Sequence, residues 1–319
     1  MRRMPLSLLN RLVAPFFVVL WSTGFIATRY GVPYAEPTTL LALRFGLVLV
    51  VMVPAVAMMW GGIAWPGRGQ IGHIAVAGVL LQAVYLLGVF EAVRHGMGAG
   101  IVALVVGLQP ILMALVGSFL AERLHPRQWA GLLLGLLGVA LVVWDRLSAS
   151  GITTHGMIFA ISALGGITAG TLYQNRFCAR FDLRAGSVIQ FTAAFLVIAP
   201  IAVWAEPGET EWTPPLVGAL LWSVLALSIG AISLLFILIR RGAAGGAATQ
   251  VASLMYLTPA VTALMAWVLF KEPITPLMVG GMVTTAVGVT VTARAARAVT
   301  PAPGDNRTPA HLGSRVAKG

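Results

Sequence analysis

Long apolar runs separated by short polar connections make up most of this 319-residue chain. A helix needs about twenty apolar residues to cross the hydrocarbon core of a bilayer, and ten runs reach or approach that length. Gly, Pro and charged residues concentrate in the connections, for example at Gly31-Val32-Pro33 and at Glu206-Pro207-Gly208-Glu209. The pattern therefore predicts an all-α polytopic membrane protein with ten transmembrane helices, at residues 12–30, 38–60, 71–91, 98–120, 128–145, 155–174, 187–205, 216–239, 246–270 and 276–293.

One pattern occurs twice, 150 residues apart, around Glu122 and Glu272. After each Glu, a proline lies four residues on, and glycines lie nine and sixteen residues on. Before each Glu, an apolar run is interrupted, at Gln109-Pro110 in the first copy and at Thr258-Pro259 in the second. The spacing is far longer than the unit of a solenoid, so it indicates a duplicated half-protein.

The duplication predicts four parts of the chain. Two repeats of five helices occupy residues 12–146 and 155–293, between a short segment at 1–11 and a tail at 294–319 that is rich in Pro, Gly and charge and is expected to be disordered. Because each repeat has an odd number of helices, the second repeat is expected to insert upside down relative to the first. Inverted repeats enclose a binding site near the bilayer midplane.

Charge supports this topology. Only 10% of the residues are charged, against about 25% in soluble domains. With a cytoplasmic N-terminus and one crossing for each run, most Arg and Lys residues fall on the cytoplasmic side, as the positive-inside rule requires, and Arg29, Arg94, Arg146 and Lys271 fall outside. Both termini are therefore predicted to be cytoplasmic. The net charge of +11 is spread over loops and tails, which argues against nucleic acid as a partner.

Several classes of protein are disfavoured by what the sequence lacks. The N-terminal arginines and first apolar run resemble a signal peptide, but the run reaches spanning length without a small-residue cleavage site, which favours a retained helix. The single Cys178 excludes an intrachain disulfide. No Cys or His pair has metal-ligand spacing, and no glycine loop is followed by Lys and Ser/Thr as nucleotide binding requires. We expect neither a metal nor another cofactor.

Three features together resemble a known family. Residues 21–25, which read Trp-Ser-Thr-Gly-Phe, Arg44 early in the second helix, and the two Pro-to-Glu segments resemble the EamA-type members of the drug/metabolite transporter superfamily. The resemblance covers about residues 12–293. It implies a bacterial inner-membrane carrier that exports amino acids or related small metabolites, with a small-molecule substrate and the lipid bilayer as partners.

Polar residues within the spans are the candidate substrate contacts, since in hydrocarbon they should face protein or a cavity rather than lipid. Their alternative role is hydrogen bonding between helices, worth about 0.6 kcal/mol per bond. The candidates for substrate binding are Trp21, Arg44, Gln82, Tyr85, Gln109, Thr168, Tyr173, Ser253, Tyr256 and Thr258.

Prolines and charges have their own candidate roles. Pro110 and Pro259 are predicted hinges, because a proline within a helix frees a backbone carbonyl that either a cavity or a neighbouring helix must satisfy. Arg44 binds a substrate carboxylate, or extends to the outer surface, or pairs with Glu91, which is expected at a similar depth. Glu122 and Glu272 are predicted to be structural, beside the positive N-terminus of the following helix. The glycines after them allow close packing, within the chain or in a homodimer.

Two other classes of function stay open at this point. An intramembrane enzyme would need a nucleophile and base, a zinc motif or two acids at membrane depth, and no such set is evident in the sequence. A non-transporting sensor or assembly subunit differs from a carrier only in activity. A secondary transporter that works by alternating access around a central cavity is the leading hypothesis.

Overall fold

The computed structural model describes residues 6–58, 62–120, 126–148, 153–178, 181–205, 208–231, 234 and 257–299. These residues form helices and turns and contain no strand. The helices of the first repeat are α1 (Leu6–Gly31), α2 (Pro37–Met58), α3 (Arg68–Arg94), α4 (Ala99–Val106), α5 (Gln109–Leu120) and α6 (Pro126–Ser148). Those of the second are α7 (Thr154–Phe177), α8 (Leu183–Ala205), α9 (Pro214–Ala231), α10 (Thr258–Phe270) and α11 (Pro276–Val299).

The helices begin and end close to the ends of the apolar runs. Pro37, Pro126, Pro214 and Pro276 each open a helix, where the missing N–H is not needed and the fixed φ suits the first turn. By length and composition, five helices are candidate membrane spans: α2, α3, α7, α8 up to Trp204, and α9. The end of the predicted span 216–239 and the start of the predicted span 246–270 lie outside the described residues, as do 300–319 of the tail.

The predicted hinges lie in the first turns of helices. The chain turns at Gly107 and Leu108, and a new helix, α5, begins at Gln109. Pro110 is therefore the second residue of α5 rather than an interruption within a continuous helix. Pro259 is likewise the second residue of α10, which begins at Thr258. The break between α4 and α5 precedes Pro110, and both prolines take an early position in a helix, where there is no intrahelical N–H bond to lose.

Two clusters of rings define the ends of the bundle. Near the start of α3, His73 Nδ1 lies 2.9 Å from the Tyr173 hydroxyl and the His73 ring stacks on Phe177 at the end of α7. Just after α3, His95 stacks on His155 at the start of α7, with ring centroids 5.7 Å apart. Helices α3 and α7 are therefore antiparallel. We refer to the two ends as the His73 end and the His95 end.

The helix contacts are symmetric between the two repeats. Two pairs of equivalent helices pack against each other: α2 with α8, and α6 with α11. Helix α4 of the first repeat also packs on α10 of the second. The packing of α3 on α7 is matched by the packing of α9 on α1. Exchanging the repeats thus reproduces these contacts, as a pseudo-two-fold axis between the repeats would.

Glycines allow α6 and α11 to approach closely. A Cβ added to Gly281 would lie 2.5 Å from the Gly138 carbonyl oxygen. The equivalent glycines with the repeats exchanged are Gly288 and Gly131. They are equally close, since a Cβ on Gly288 would lie 2.5 Å from the Gly131 carbonyl oxygen. The glycine packing left open by the sequence is therefore made within the chain, and a homodimer stays a prediction.

Equivalent helices of the two repeats also share an irregularity. Residues Val79–Val84 of α3 and Ser223–Ala231 of α9 are π-helical. Such segments are rare and are frequent at functional sites. Both contribute side chains to the cavity described next.

Candidate functional site

A cavity of about 360 Å³ lies between the two repeats. The first repeat contributes side chains from α1, α2, α3 and α5, and the second contributes side chains from α7, α8 and α9 and from the α7–α8 connection. Its volume falls in the range of about 300–1,000 Å³ that is usual for small-molecule sites. Its wall is mostly apolar, with a few polar groups, as such sites usually are.

Half of the predicted substrate contacts line this cavity. The structure brings together Trp21 of α1, Arg44 of α2, Gln82 and Tyr85 of α3, and Gln109 of α5. Gln82 and Tyr85 are three residues apart and share a face of their helix, as predicted. Whether these side chains bind substrate stays a prediction.

Gln109 joins the two repeats across the cavity. Its side-chain amide donates to Thr171 Oγ1 at 2.9 Å and to the Ile167 carbonyl at 3.4 Å, both on α7. The Thr171 hydroxyl in turn donates to the Ile167 carbonyl at 2.7 Å. The position of Gln109 at the start of α5 follows from the break before Pro110, which directs the first turn of that helix towards α7.

Arg44 is buried and contacts a hydroxyl. Its Nε and Nη2 atoms each lie 3.3 Å from Ser228 Oγ on α9. The alternative partner, Glu91, lies instead with one carboxylate oxygen 3.6 Å from His95 Nδ1. Within the described part of the chain, Arg44 forms no ion pair with a carboxylate.

The other predicted contacts do not line the cavity or are not described. Thr168 is buried and its hydroxyl donates to the Leu164 carbonyl of its own helix at 2.6 Å. Tyr173 lies in the ring cluster at the His73 end. Thr258 is buried at the start of α10, where its carbonyl lies 3.5 Å from the Ser22 hydroxyl. Ser253 and Tyr256 lie outside the described residues.

Several cavity residues are missing from the predicted set. Gln190 of α8 donates to Gln174 of α7 at 2.7 Å, and both amides line the cavity. Ser187 lines it as well, three residues before Gln190. The sequence carries a signal for them, because Thr171 and Gln174, like Ser187 and Gln190, have the spacing of one helix face.

Glu272 has a structural position, but at a different helix from the predicted one. Its carboxylate accepts from the Ala99 N–H at 3.3 Å, at the N-terminus of α4, and lies 3.9 Å from Arg29. A carboxylate at a helix N-terminus complements the helix dipole. Lys271, with φ of 56°, ends α10 and turns the chain towards this position. Glu122, the equivalent residue, lies outside the described residues.

The α7–α8 connection contributes to the lining of the cavity. Phe181 of this segment and Leu183, the first residue of α8, line it. Between them, Asp182 accepts from Arg184 Nη2 at 2.7 Å and from the Arg184 backbone N–H at 2.9 Å. These hydrogen bonds, above all the side-chain bond from Arg184, hold the pKa of Asp182 below its usual value. Partial burial raises the pKa of the Cys178 thiol in the same segment.

Comparison with known families gives the decisive observation. The profile of the EamA-like transporter family matches residues 12–144 and again residues 154–294, so the two matches follow the two repeats. The chain belongs to the EamA-like transporter family. This membership, with the apolar helices, indicates a multi-pass membrane transporter.

Individual relatives of this EamA-like transporter span nearly its whole length. The uncharacterized transporter YvbV of Bacillus subtilis (strain 168) is 24% identical, over 88% of this chain and 90% of the relative. A probable amino-acid metabolite efflux pump of Salmonella typhimurium is 25% identical, over 87% of this chain and 92% of the relative. A solved crystal structure that is 20% identical superposes with a TM-score of 0.61, over 90% of this chain and 98% of that one, and shows the same fold.

Proposed function

We propose that this protein exports amino acids or related small metabolites across the bacterial inner membrane, by alternating access to the cavity between its repeats. The observation that carries the proposal is the cavity itself, because both repeats line it and it has the size of a small-molecule site. The direction of transport and the substrate class follow the similarity to the Salmonella efflux pump, at 25% identity.

The proposed topology has ten spans and places both termini in the cytoplasm. In it, α4 and α5 together make one crossing, and α10 completes a crossing that begins before residue 257. The charges favour the His73 end as the cytoplasmic end, since Arg68, Arg127, Arg176 and Arg294 lie near the helix ends that this topology assigns to it. With five crossings in each half, the repeats are inverted, and their symmetric contacts agree with this arrangement.

The two ends of the cavity support a state that faces the cytoplasm. The cavity reaches Phe181 and Leu183 near the His73 end. Near the His95 end, Arg94 of α3 pairs with Glu36 just before α2 at 2.5 Å, and also donates to the Val32 carbonyl after α1. In the alternating-access mechanism, this ion pair separates when one repeat rocks against the other, and the outer side opens.

Flux through reconstituted protein tests the proposal. Proteoliposomes loaded with a panel of labelled amino acids and related metabolites should release at least one of them faster than protein-free liposomes do. Replacing Gln109 with Leu should slow that release severalfold, because a bond between the repeats worth about 0.5–1.5 kcal/mol is lost, while the protein still inserts and folds. The matched control is Thr284→Val, since this exposed hydroxyl donates within its own helix, to the Gly280 carbonyl.

Two results would count against the proposal. Release no faster than from empty liposomes, for every amino acid and metabolite in the panel, would leave the carrier role without support. Equal flux through the Gln109→Leu and Thr284→Val variants would show that the Gln109 side chain has no role in transport.

A further inference from the structure

The part of the cavity lining that the structure describes carries one positive charge without a carboxylate. Among the described residues that line the cavity, Arg44 is the one with a permanent charge, and Asp and Glu are absent from this lining. The undescribed stretches at 232–233 and 235–256, between α9 and α10, contain no Asp or Glu in the sequence. No carboxylate from the stretch between α9 and α10 therefore neutralises the guanidinium.

The hydrogen-bond partner of Arg44 is neutral, so the guanidinium can also bind an anion. Nε and Nη2 form the edge of the guanidinium that binds carboxylates through two parallel hydrogen bonds. Here both atoms approach a single neutral oxygen, Ser228 Oγ, at 3.3 Å, which is long for a charged donor. The Ser228 hydroxyl donates to the Ser223 carbonyl at 3.0 Å. A buried cation without an opposite charge is costly, so a carboxylate at this edge would relieve that cost.

The rest of the cavity suits an apolar body better than a second charge. Trp21, Phe25, Leu86 and Phe191 supply aromatic and aliphatic surface. The remaining polar lining consists of neutral amides and hydroxyls, of which Gln109, Gln174 and Gln190 already bond to protein partners. An ammonium group would enter without a carboxylate to meet it and would be repelled by Arg44.

We infer that the cavity selects amphipathic monocarboxylates of net charge −1, such as N-acylated or deaminated relatives of apolar amino acids, over the zwitterionic amino acids themselves. This inference rests on the proposed transport function and names its substrate class. Arg44 binds the carboxylate, and the apolar wall holds the side chain.

The charge of the substrate has an electrical consequence. Moving one elementary charge through 100 mV is worth about 2.3 kcal/mol, which corresponds to a distribution ratio of about 50-fold. A potential that is negative on the cytoplasmic side therefore drives a monoanion outwards. A zwitterion moving alone would not respond to the potential.

Three probes that share one side chain provide the test. N-acetyl-L-leucine is a monoanion at pH 7.5, N-acetyl-L-leucinamide is neutral, and L-leucine is a zwitterion. With the unmodified protein in proteoliposomes, labelled N-acetyl-L-leucine should cross at least tenfold faster than the other two. A potassium-diffusion potential should shift its distribution in the direction expected for an anion, and reversing the potential should reverse the shift.

Variants of Arg44 add a second measurement. Arg44→Gln should abolish the preference for the monoanion. Arg44→Lys keeps the positive charge but cannot form two parallel hydrogen bonds to a carboxylate, so it should retain part of that preference. Because the comparison among the three probes uses unmodified protein, the inference stays testable if a variant fails to fold. Leucine flux equal to or greater than that of N-acetyl-L-leucine would overturn the inference and leave the transport function standing. Absence of flux for all three probes and for the whole amino-acid panel would overturn both.

Discussion

The contact between α6 and α11 makes a sharp prediction, because adjacent glycines on α11 face different surroundings. Gly281 lies against the Gly138 carbonyl and the Val142 side chain, and an added Cβ would lie 2.5 Å from each. Gly280 has no heavy atom within 4 Å of the same position, among the described residues. We therefore expect Gly281→Ala to destabilise the protein and Gly280→Ala to leave it as stable as before or slightly more so.

The size of the effect follows from the distance. Ordinary van der Waals contact begins at 3.4 Å, so a methyl group at Gly281 is about 0.9 Å too close, and the obstacle is backbone that a rotamer change cannot move. Overpacking of this kind costs about 1–3 kcal/mol. Replacing Gly with Ala within a helix gains up to about 1 kcal/mol of helix propensity. Because this gain applies at both positions, the two variants should differ by the overpacking cost alone.

Reversible unfolding in mixed detergent micelles, followed by circular dichroism, measures this difference in free energy. Gly288→Ala serves as a second test, because it opposes the Gly131 carbonyl in the symmetric contact and should cost a similar amount. If Gly281→Ala proved as stable as Gly280→Ala, the close packing of equivalent helices would not describe the protein, and the symmetry of the fold would lose its main support.

Three further predictions concern charged residues. The losses of stability from Arg44→Ala and Glu91→Ala should add in the double variant, since the structure has no ion pair between them; a measured coupling of 1 kcal/mol or more would contradict this. Glu272→Ala should cost about 1 kcal/mol through the lost acceptor for the Ala99 N–H, and Glu272→Gln should recover most of it; equal losses in thermal unfolding would exclude the capping role. The lowered pKa of Asp182 means that its contribution is complete above its ordinary pKa and is lost as pH falls through the lowered value. Asp182→Asn should therefore weaken the loss of stability as pH falls below the ordinary pKa of an aspartate, and an unchanged pH profile would refute this.

Much of the fold was predictable because local chemistry sets it. Apolar runs of spanning length must be helical in lipid, and prolines and glycines mark where the helices begin and end. Thus the predicted run 155–174 became α7 (Thr154–Phe177), and 128–145 became α6 (Pro126–Ser148). The spacing after Glu122 and Glu272 predicts two repeats, and the family profile matches the chain twice, at residues 12–144 and 154–294.

The site was less predictable, because the sequence indicates how deep in the membrane a residue lies more readily than which neighbouring helix its side chain faces. Arg44 and Glu91 are expected at a similar depth, yet in the folded chain one contacts Ser228 and the other lies beside His95. Likewise Thr168 and Thr171 are neighbours on α7, and Thr171 lines the cavity while the Thr168 hydroxyl bonds to its own helix. Such differences depend on how the helices are rotated when they pack, which tertiary contacts decide.

The π-helical segments of α3 and α9 lead to a different kind of expectation. Gln82 and Ser228 lie within these segments, and the widened turn sets where they and Tyr85 point. A π-helical turn accommodates about one extra residue, so deleting one residue there would restore ordinary α geometry without rotating the rest of the helix. The side chains within the turn would shift by about 100° around the axis. Such a deletion should therefore preserve the packing of these two helices while moving Gln82 or Ser228 relative to the cavity, so that the extra residue serves the site rather than the fold.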